Sequence, residues 1–475
     1  MNAPRPFNAL YDRYASAEMA EIHSQQHRYR TWRLLWIHLA KAQQQLGLPI
    51  SDGQIASLEA AADTIDFERV AEIELETRHD VVAHLRHFAE VAEGDAGSIL
   101  HLGATSAFIT DNTDAVLLRE GLELLERRLG GTIAALAGFA RDTRDIPALA
   151  YTHFQPAQLT TVGKRACLWA QDFIEDLSAL RHRLSVLRCR GAKGTTGTQA
   201  SYLTLFEGDH AKVRALDADV AARLGFAGGY PITGQTYPRK QDSQVLACLA
   251  GIAESCHKFG TDLRLLQGVG ELSEPFGSSQ VGSSAMAYKR NPIRAERMCA
   301  LSRRLITDSL NGPLTASVQW LERSLDDSAN RRLVLTDAFM IADAVLGLAA
   351  GIAAGLTVRE EAVTARVERE LPFMATESLL MTGTVRGGDR QDLHERIRGY
   401  SMEAYAAVSR GEPNPLIDAI LSDQAFSLSP PEVEAIMDPR AFIGRSPQQV
   451  DEFLAEVVEP ALAGLDIAAA EEPRV

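Results

Sequence analysis

Apolar positions recur at helical spacing along almost the whole chain. From Glu18 to Leu46, Trp32, Leu35, Ile37 and Leu39 follow a helical pattern, and Gly47 and Pro49 end the run. Ser51 and Asp66 read as N-caps of two further helices, the second running toward Arg78 and His79. Longer helices are predicted over about 113–143, capped by Asp111 or Asn112, and over about 157–190. The clearest pattern lies at 245–266, where Val245, Leu249, Ile252, Cys256, Phe259, Leu263 and Leu266 alternate spacings of four and three. Such a heptad seam wants a partner helix along its length, from this chain or from another copy. Ala338 to Leu356 carries Asp343 as its one formal charge and is long enough to cross a bilayer. Its alanines and glycines permit close helix approach and charged stretches flank it, so it reads as a buried core helix. Period-two alternation is confined to short pieces near 229–237. The pattern predicts an all-α chain in three parts: an N-terminal helical domain over 1–105, a central long-helix bundle domain over 106–357 and a C-terminal helical domain over 358–475.

Composition narrows the function. At 475 residues, 46% hydrophobic and 23% charged, the chain is long enough for several cores and has the balance of a soluble globular protein. A net charge of −15 argues against nucleic acid or an acidic membrane as partner. An anionic ligand would need a local cationic cluster, and Lys289, Arg290, Arg294 and Arg297 form one against Glu296. Five scattered cysteines without a CxxC pair, and twelve histidines without HExxH, predict neither disulfide framework nor metal site. With no signal-like start, the expectation is a reducing, cytoplasmic setting.

Four polar segments interrupt the helices where packing does not require them. These are Arg78-His79-Asp80, the stretch 101–114 with Thr105 and Ser106, the stretch 152–161 with His153 before Pro156, and 282–292 reading GSSAMAYKRNP. Taken singly, each is an ordinary helix end, capping turn or solvated loop. Lys193 to Thr198, KGTTGT, looks phosphate-like but lacks the GxxxxGK[ST] spacing and a preceding strand. The stretch 322–332 reads as a solvated helix face, its arginines balanced by Glu322, Asp326 and Asp327.

Together the segments match a known pattern. Gly282-Ser283-x-x-Met286-x-x-Lys289-x-Asn291 resembles the signature loop of the fumarase/aspartase superfamily. THFQPAQLTTVGKR (152–165), KGTTGTQAS (193–201), TGQTYPRK (233–240) and SVQWLERSLDDSANRR (317–332) resemble the adenylosuccinate lyase family, particularly its animal-type branch. RYAS at 13–16 and RTWRLLW at 30–36 extend the likeness, which runs from about 10 to 460. It implies a three-domain fold around a central long-helix bundle, a homotetramer with active sites shared between subunits, and no cofactor. It also implies elimination of fumarate from adenylosuccinate and from the succinyl-carboxamide imidazole ribotide SAICAR, in purine biosynthesis.

By the same likeness Ser283 is the general base and His153 the general acid, with His79 the alternative base. Histidine suits proton exchange near neutrality, while serine needs a cationic setting such as Lys289 offers. The succinyl carboxylates fall to Thr105, Ser106, Lys289 and Asn291, and the phosphate to Arg323, Ser328 and Arg332. Arg13, Tyr14, Arg78 and Asp80 would line the nucleotide pocket, Gln235 would read the base or carboxamide, and Arg297 stands near the loop. The alternatives are another fumarate-releasing lyase, such as argininosuccinate lyase, and a catalytically silent helical scaffold.

Ala287 stands where the signature usually has proline. Ala287→Pro removes backbone freedom without touching a reacting group. The expected outcome is turnover within about threefold of the unmodified protein, measured as steady-state kcat; a large loss would make the alanine part of loop closure.

Overall fold

The structure is a computed structural model, and it describes residues 7–277, 280, 285–286 and 288–467. The expected first helix is two, α1 (Ala17–Ile22) and α2 (Gln25–Gln45), because the Ser24 hydroxyl accepts from the His27 amide and starts a new helix. Ser51 and Asp66 cap α3 (Asp52–Ala61) and α4 (Phe67–Thr77) as expected, the former through a full capping box with Gln54. Arg78, at φ 53°, ends α4 in the left-handed region, and His79 immediately opens α5 (Asp80–Val91). This tight corner turns Arg78 and His79 outward, both exposed.

The long helix α6 (Ser106–Asp142) starts at Thr105, so Asp111 and Asn112 do not cap it. Both are buried inside it, because distant residues satisfy them: Asn112 accepts from the Gly191 amide (2.9 Å), and Asp111 accepts from the two terminal guanidinium nitrogens of Arg239 (3.1 Å each). The segment expected to begin a helix near 157 instead forms an antiparallel hairpin, β1 (Pro147–Thr152) and β2 (Gln155–Thr161), followed by α7 (Val162–Val186). Leu149 and Leu159 face each other across it and pack on Val367, Leu371 and Ile443. A second short pair, β3 (Leu272–Ser273) with β4 (Thr357–Val358), joins two loops that each follow a bundle helix. Residues 229–237 form only a single bridge, Gly229 to Cys189.

After α8 (Ala200–Leu205) and α9 (His210–Arg223) come the bundle helices α10 (Lys240–Gly268), α11 (Ile293–Ser309), α12 (Asn311–Val318) and α13 (Asp327–Ala354). α10 packs against α7, α11, α12 and α13, and α13 also lies on α6. Every seam residue from Val245 to Leu266 is buried by this chain's own helices. The heptad therefore has its partner within the subunit and needs no second copy. α13 is the one described helix long and apolar enough to cross a membrane, and its residues 338–353 are all buried in the bundle. α14 (Glu360–Val385), α15 (Arg390–Ser409), α16 (Leu416–Ser422) and α17 (Pro430–Ile436) share a separate apolar core around Leu379, Leu393 and Phe426. α18 (Ser446–Phe453) and α19 (Glu459–Leu462) return to the bundle side, where Val450 joins the main core.

Leu263 is fully buried in the seam. Leu263→Ala should lower the unfolding free energy by about 2–5 kcal/mol and Leu263→Met by less than about 1.5 kcal/mol. Urea titrations at one fixed protein concentration check both.

Candidate active site

Residues far apart in sequence meet where α5, α6 and α13 begin. The His79 Nε2 lies 3.3 Å from the Ser106 hydroxyl, and its Nδ1 lies 3.5 Å from Asp80 Oδ1. The other Asp80 oxygen accepts from Arg332 at 2.6 Å. Arg78 and Thr105 flank these groups in sequence, and Ser328 and Arg332 stand four apart on α13, on one face. The Gln235 backbone amide donates to the Glu322 carbonyl (2.9 Å), next to Arg323.

A buried ionic network fixes these helix starts. Arg239 grips Asp111 of α6 with two nitrogens and Asp327 of α13 with the third (2.6 Å). Arg331 donates to Asp242 of α10 (2.7 Å) and to the Tyr237 hydroxyl (2.7 Å), and pairs with Asp114 (3.1 Å). Arg28 of α2 closes the chain on Asp114 at 2.8 Å. Burial opposes the Asp114 charge, yet Arg331 and Arg28 overcome it and hold its carboxyl below the ordinary carboxylate value. Burial also pushes the Tyr237 phenol well above its usual value, so it stays a donor. The solvated reading of 322–332 is thus corrected for Asp327 and Arg331, both buried. Their partners lie about ninety or more residues upstream, which a local charge balance does not see.

Sequence reasoning also missed His101. Trp36 donates to its Nδ1 (2.9 Å), leaving the ring proton on Nε2, and its backbone sits at φ 65°. The signal was a histidine two residues before Gly103 in one of the singled-out segments.

The remaining site residues stand in other groups. Arg13 and Tyr14 lie on a short N-terminal turn, and the Arg297 guanidinium lies 6.0 Å from the Tyr14 ring centroid. Lys289 donates its amide to the Met286 carbonyl (3.0 Å) and lines a cleft of about 580 Å³ with Gln267, Glu274, Phe276, Arg290 and Arg359. Asn291 follows just before α11, whose Arg294 and Ala295 amides donate to the Glu274 carboxylate (3.0 and 2.9 Å). His153 and Phe154 form the hairpin turn, at φ 54° and 58°, where Asn-Gly is usual. The His153 side chain is exposed and makes no hydrogen bond or ion pair among the described residues. No hydrogen bond, ion pair or ring contact joins His153 or Lys289 to the His79 group among the described residues. Ser283 lies outside the described residues, as does Ala287.

A family model described as "Lyase" matches residues 8–307, and one described as "Adenylosuccinate lyase C-terminus" matches 372–453. Adenylosuccinate lyase of Saccharomyces cerevisiae is 46% identical over 95% of this chain and 95% of its own length. The chain belongs to the adenylosuccinate lyase family. Family members from Schistosoma mansoni, at 45% identity over 96% of this chain and 95% of theirs, and Methanocaldococcus jannaschii, at 32% over 93% and 94%, extend the likeness. The fold is shared more widely. The 3-carboxy-cis,cis-muconate lactonizing enzyme of Pseudomonas putida superposes with a TM-score of 0.81 at 23% identity, covering 96% of this chain and all of that one. A fumarate lyase from Mesorhizobium gives 0.77 at 23% identity, covering 97% of this chain and all of that one. The all-α fumarase/aspartase fold read from the sequence stands.

Beside the site, two rings are held neutral. Burial, with the His79 charge second, lowers His101 from 6.5 to about 4. Burial, with Arg33 second, lowers His84 from 6.5 to about 4 where it stacks on Tyr29 (3.8 Å between centroids). Their unfolded forms take up protons first, so their contribution to stability is complete above about pH 6.5 and is lost as pH falls toward about 4. Urea midpoints should drop between pH 7 and 5, and His84→Gln should flatten that slope; an unchanged slope would clear His84 of the effect.

Proposed function

We propose that this protein cleaves adenylosuccinate to AMP and fumarate, and SAICAR to AICAR and fumarate, as a carbon–nitrogen lyase of purine biosynthesis. The observation that carries the reading is the meeting of His79, Asp80, Ser106 and Arg332, brought from residues 252 positions apart in the case of Asp80 and Arg332. An acid–base group thereby stands beside a cation able to take a phosphate, which an argininosuccinate-like substrate does not carry.

In this reading Ser283 removes the proton from the carbon next to a succinyl carboxylate, and the electron pair spreads into that carboxylate. The carbon–nitrogen bond breaks, a carbon–carbon double bond forms, and His153 protonates the leaving nitrogen. Lys289, Asn291, Thr105 and Ser106 stabilise the charge that develops on the carboxylate, and preorganised donors of this kind usually lower the barrier more than any other single effect. Arg323, Ser328 and Arg332 hold the phosphate, with Arg332 as a forked donor. Arg13, Tyr14, Arg78, Asp80 and Arg297 wall the nucleotide, and Gln235 reads its base or carboxamide. His79, hydrogen-bonded to Ser106, is the alternative base.

The working form we infer is a homotetramer with sites shared between subunits, each subunit divided at about 105 and 357. Its support is an exposed apolar strip over α12 and the following loop, where Trp320 is 68% and Leu321 97% exposed, joined by Leu314, Val318 and Leu325. His153, exposed on its hairpin and apart from the His79 group, fits a role in a neighbouring subunit's site. We place the protein in the cytoplasm.

Fumarate release should follow addition of adenylosuccinate or SAICAR and not of argininosuccinate; turnover of none of the three would leave the scaffold alternative standing. His153→Ala should lower kcat by about 10²–10⁴. Inactive His153→Ala and Ser283→Ala proteins, dissociated and reassembled together, should regain part of the activity. No recovery in demonstrably mixed tetramers would sink the shared site.

A further inference from the structure

The loop from Arg190 to Gln199 is fixed more firmly than a connector between α7 and α8 requires. Its glycines at 191, 194 and 197 take φ of 77°, 79° and 84°, a region that side chains resist. A Cβ at Gly197 would sit 1.8 Å from the Thr233 carbonyl oxygen, so the loop backbone lies directly on the segment that carries Gln235. Arg190 is fully buried and donates to backbone carbonyls on both sides, Gln235 at 2.6 Å, Gly191 at 3.2 Å and Gly194 at 2.5 Å. Burial draws its guanidinium below the ordinary value, since Asp111 and Asp217 offset the loss of water only in part. Gln235 is tied in turn to the Glu322 carbonyl. Three stretches, 191–199, 233–235 and 322–323, are thus stitched into one rim.

Thr196 and Thr198 stand exposed on that rim with their Oγ1 atoms 3.5 Å apart. That is well beyond the 2.7–2.8 Å of a good hydroxyl–hydroxyl bond. Neither hydroxyl has another partner among the described residues. Two under-used donors at this spacing reach one oxygen, or two adjacent ones, of a ligand.

We propose that Thr196 and Thr198 form a substrate-binding pair for the ribose-phosphate portion that both purine substrates share. The proposal rests on the substrate reading above and adds a contact to it. Its place on the rim points to the portion: the loop lies on the segment of Gln235, the reader of the base or carboxamide, and that segment is bonded in turn to Glu322, next to Arg323 of the proposed phosphate cradle. A ribose-phosphate contact is common to adenylosuccinate and SAICAR, whereas a base contact would separate them.

Thr196→Val and Thr198→Val keep shape and remove the hydroxyl, and Thr→Ser at each position keeps the hydroxyl and removes a methyl. With both substrates, each valine variant should raise KM about three- to tenfold, the weight of one hydrogen bond, with kcat within about twofold. The serine variants should recover most of that loss. Valine variants with unchanged KM, or serine variants as impaired as valine, would overturn the pair; a KM change for one substrate alone would overturn the ribose-phosphate assignment. Absence of turnover by the unmodified protein would bring down the substrate reading and this proposal with it. Turnover with unaltered valine variants would bring down the proposal alone.

Discussion

The rest of the site depends on one buried guanidinium. Arg239 holds Asp111 of α6 and Asp327 of α13 at once, with its face on the Tyr237 ring (4.7 Å to the centroid). Taking such charges out of water costs several kcal/mol each, and their attraction returns that only when the geometry is good and the other donors are used. Here all three guanidinium nitrogens are used. What the arrangement secures is registry. Ser106 lies five residues before Asp111, Gln235 two before Tyr237, and Ser328 and Arg332 stand within five residues of Asp327. A shift of one helix along another would break several charge-assisted bonds together, so the side chains of the proposed site keep their spacing.

The hairpin answers a different demand. His153 and Phe154 both adopt left-handed backbone, which costs non-glycine residues about 1–2 kcal/mol each. The two-residue turn asks for positive φ at both positions, yet Asn and Gly, which meet that demand cheaply, are absent and both side chains are exposed. The strands beneath supply the anchor, through Leu149 and Leu159 on the apolar surface of α14 and through Tyr151, whose hydroxyl donates to the buried Glu271 at 2.6 Å. Strain retained at an exposed tip above a fixed base suits the projecting role proposed for His153. In the proposed reading, the rigid cluster at the helix starts and the projected histidine would be complementary halves of a site shared between subunits.

The helical periodicity made the fold class legible, because buried faces in a bundle repeat at a spacing the chain itself displays. The two caps at Ser51 and Asp66 were legible for the same reason: their partners are two or three residues away. Asp111 and Asn112 were misread as caps because their partners, Arg239 and Gly191, lie 128 and 79 residues away. The hairpin was hidden because its apolar pair is short, the ladder slips between Leu149 and Tyr151, and its packing surface comes from residues 367, 371 and 443. The heptad was legible as a seam but silent on whose helix fills it. In the site, the motif segments were visible, while their convergence through Asp80 and Arg332 belongs to tertiary packing alone.

That convergence also bears on how a chain of net charge −15 can receive an anion. Arg332 is exposed and pairs with one oxygen of Asp80, whose other oxygen faces His79. In the proposed reading, a phosphate reaching Arg332 would compete with a carboxylate for the same fork of donors, so the guanidinium would exchange one anion for another. Because exposed pairs of this kind are worth at most about 1 kcal/mol, the exchange meets little resistance. One carboxylate thus touches both the arginine proposed to hold the phosphate and the ring of His79, so the two ends of the proposed site meet at a single side chain.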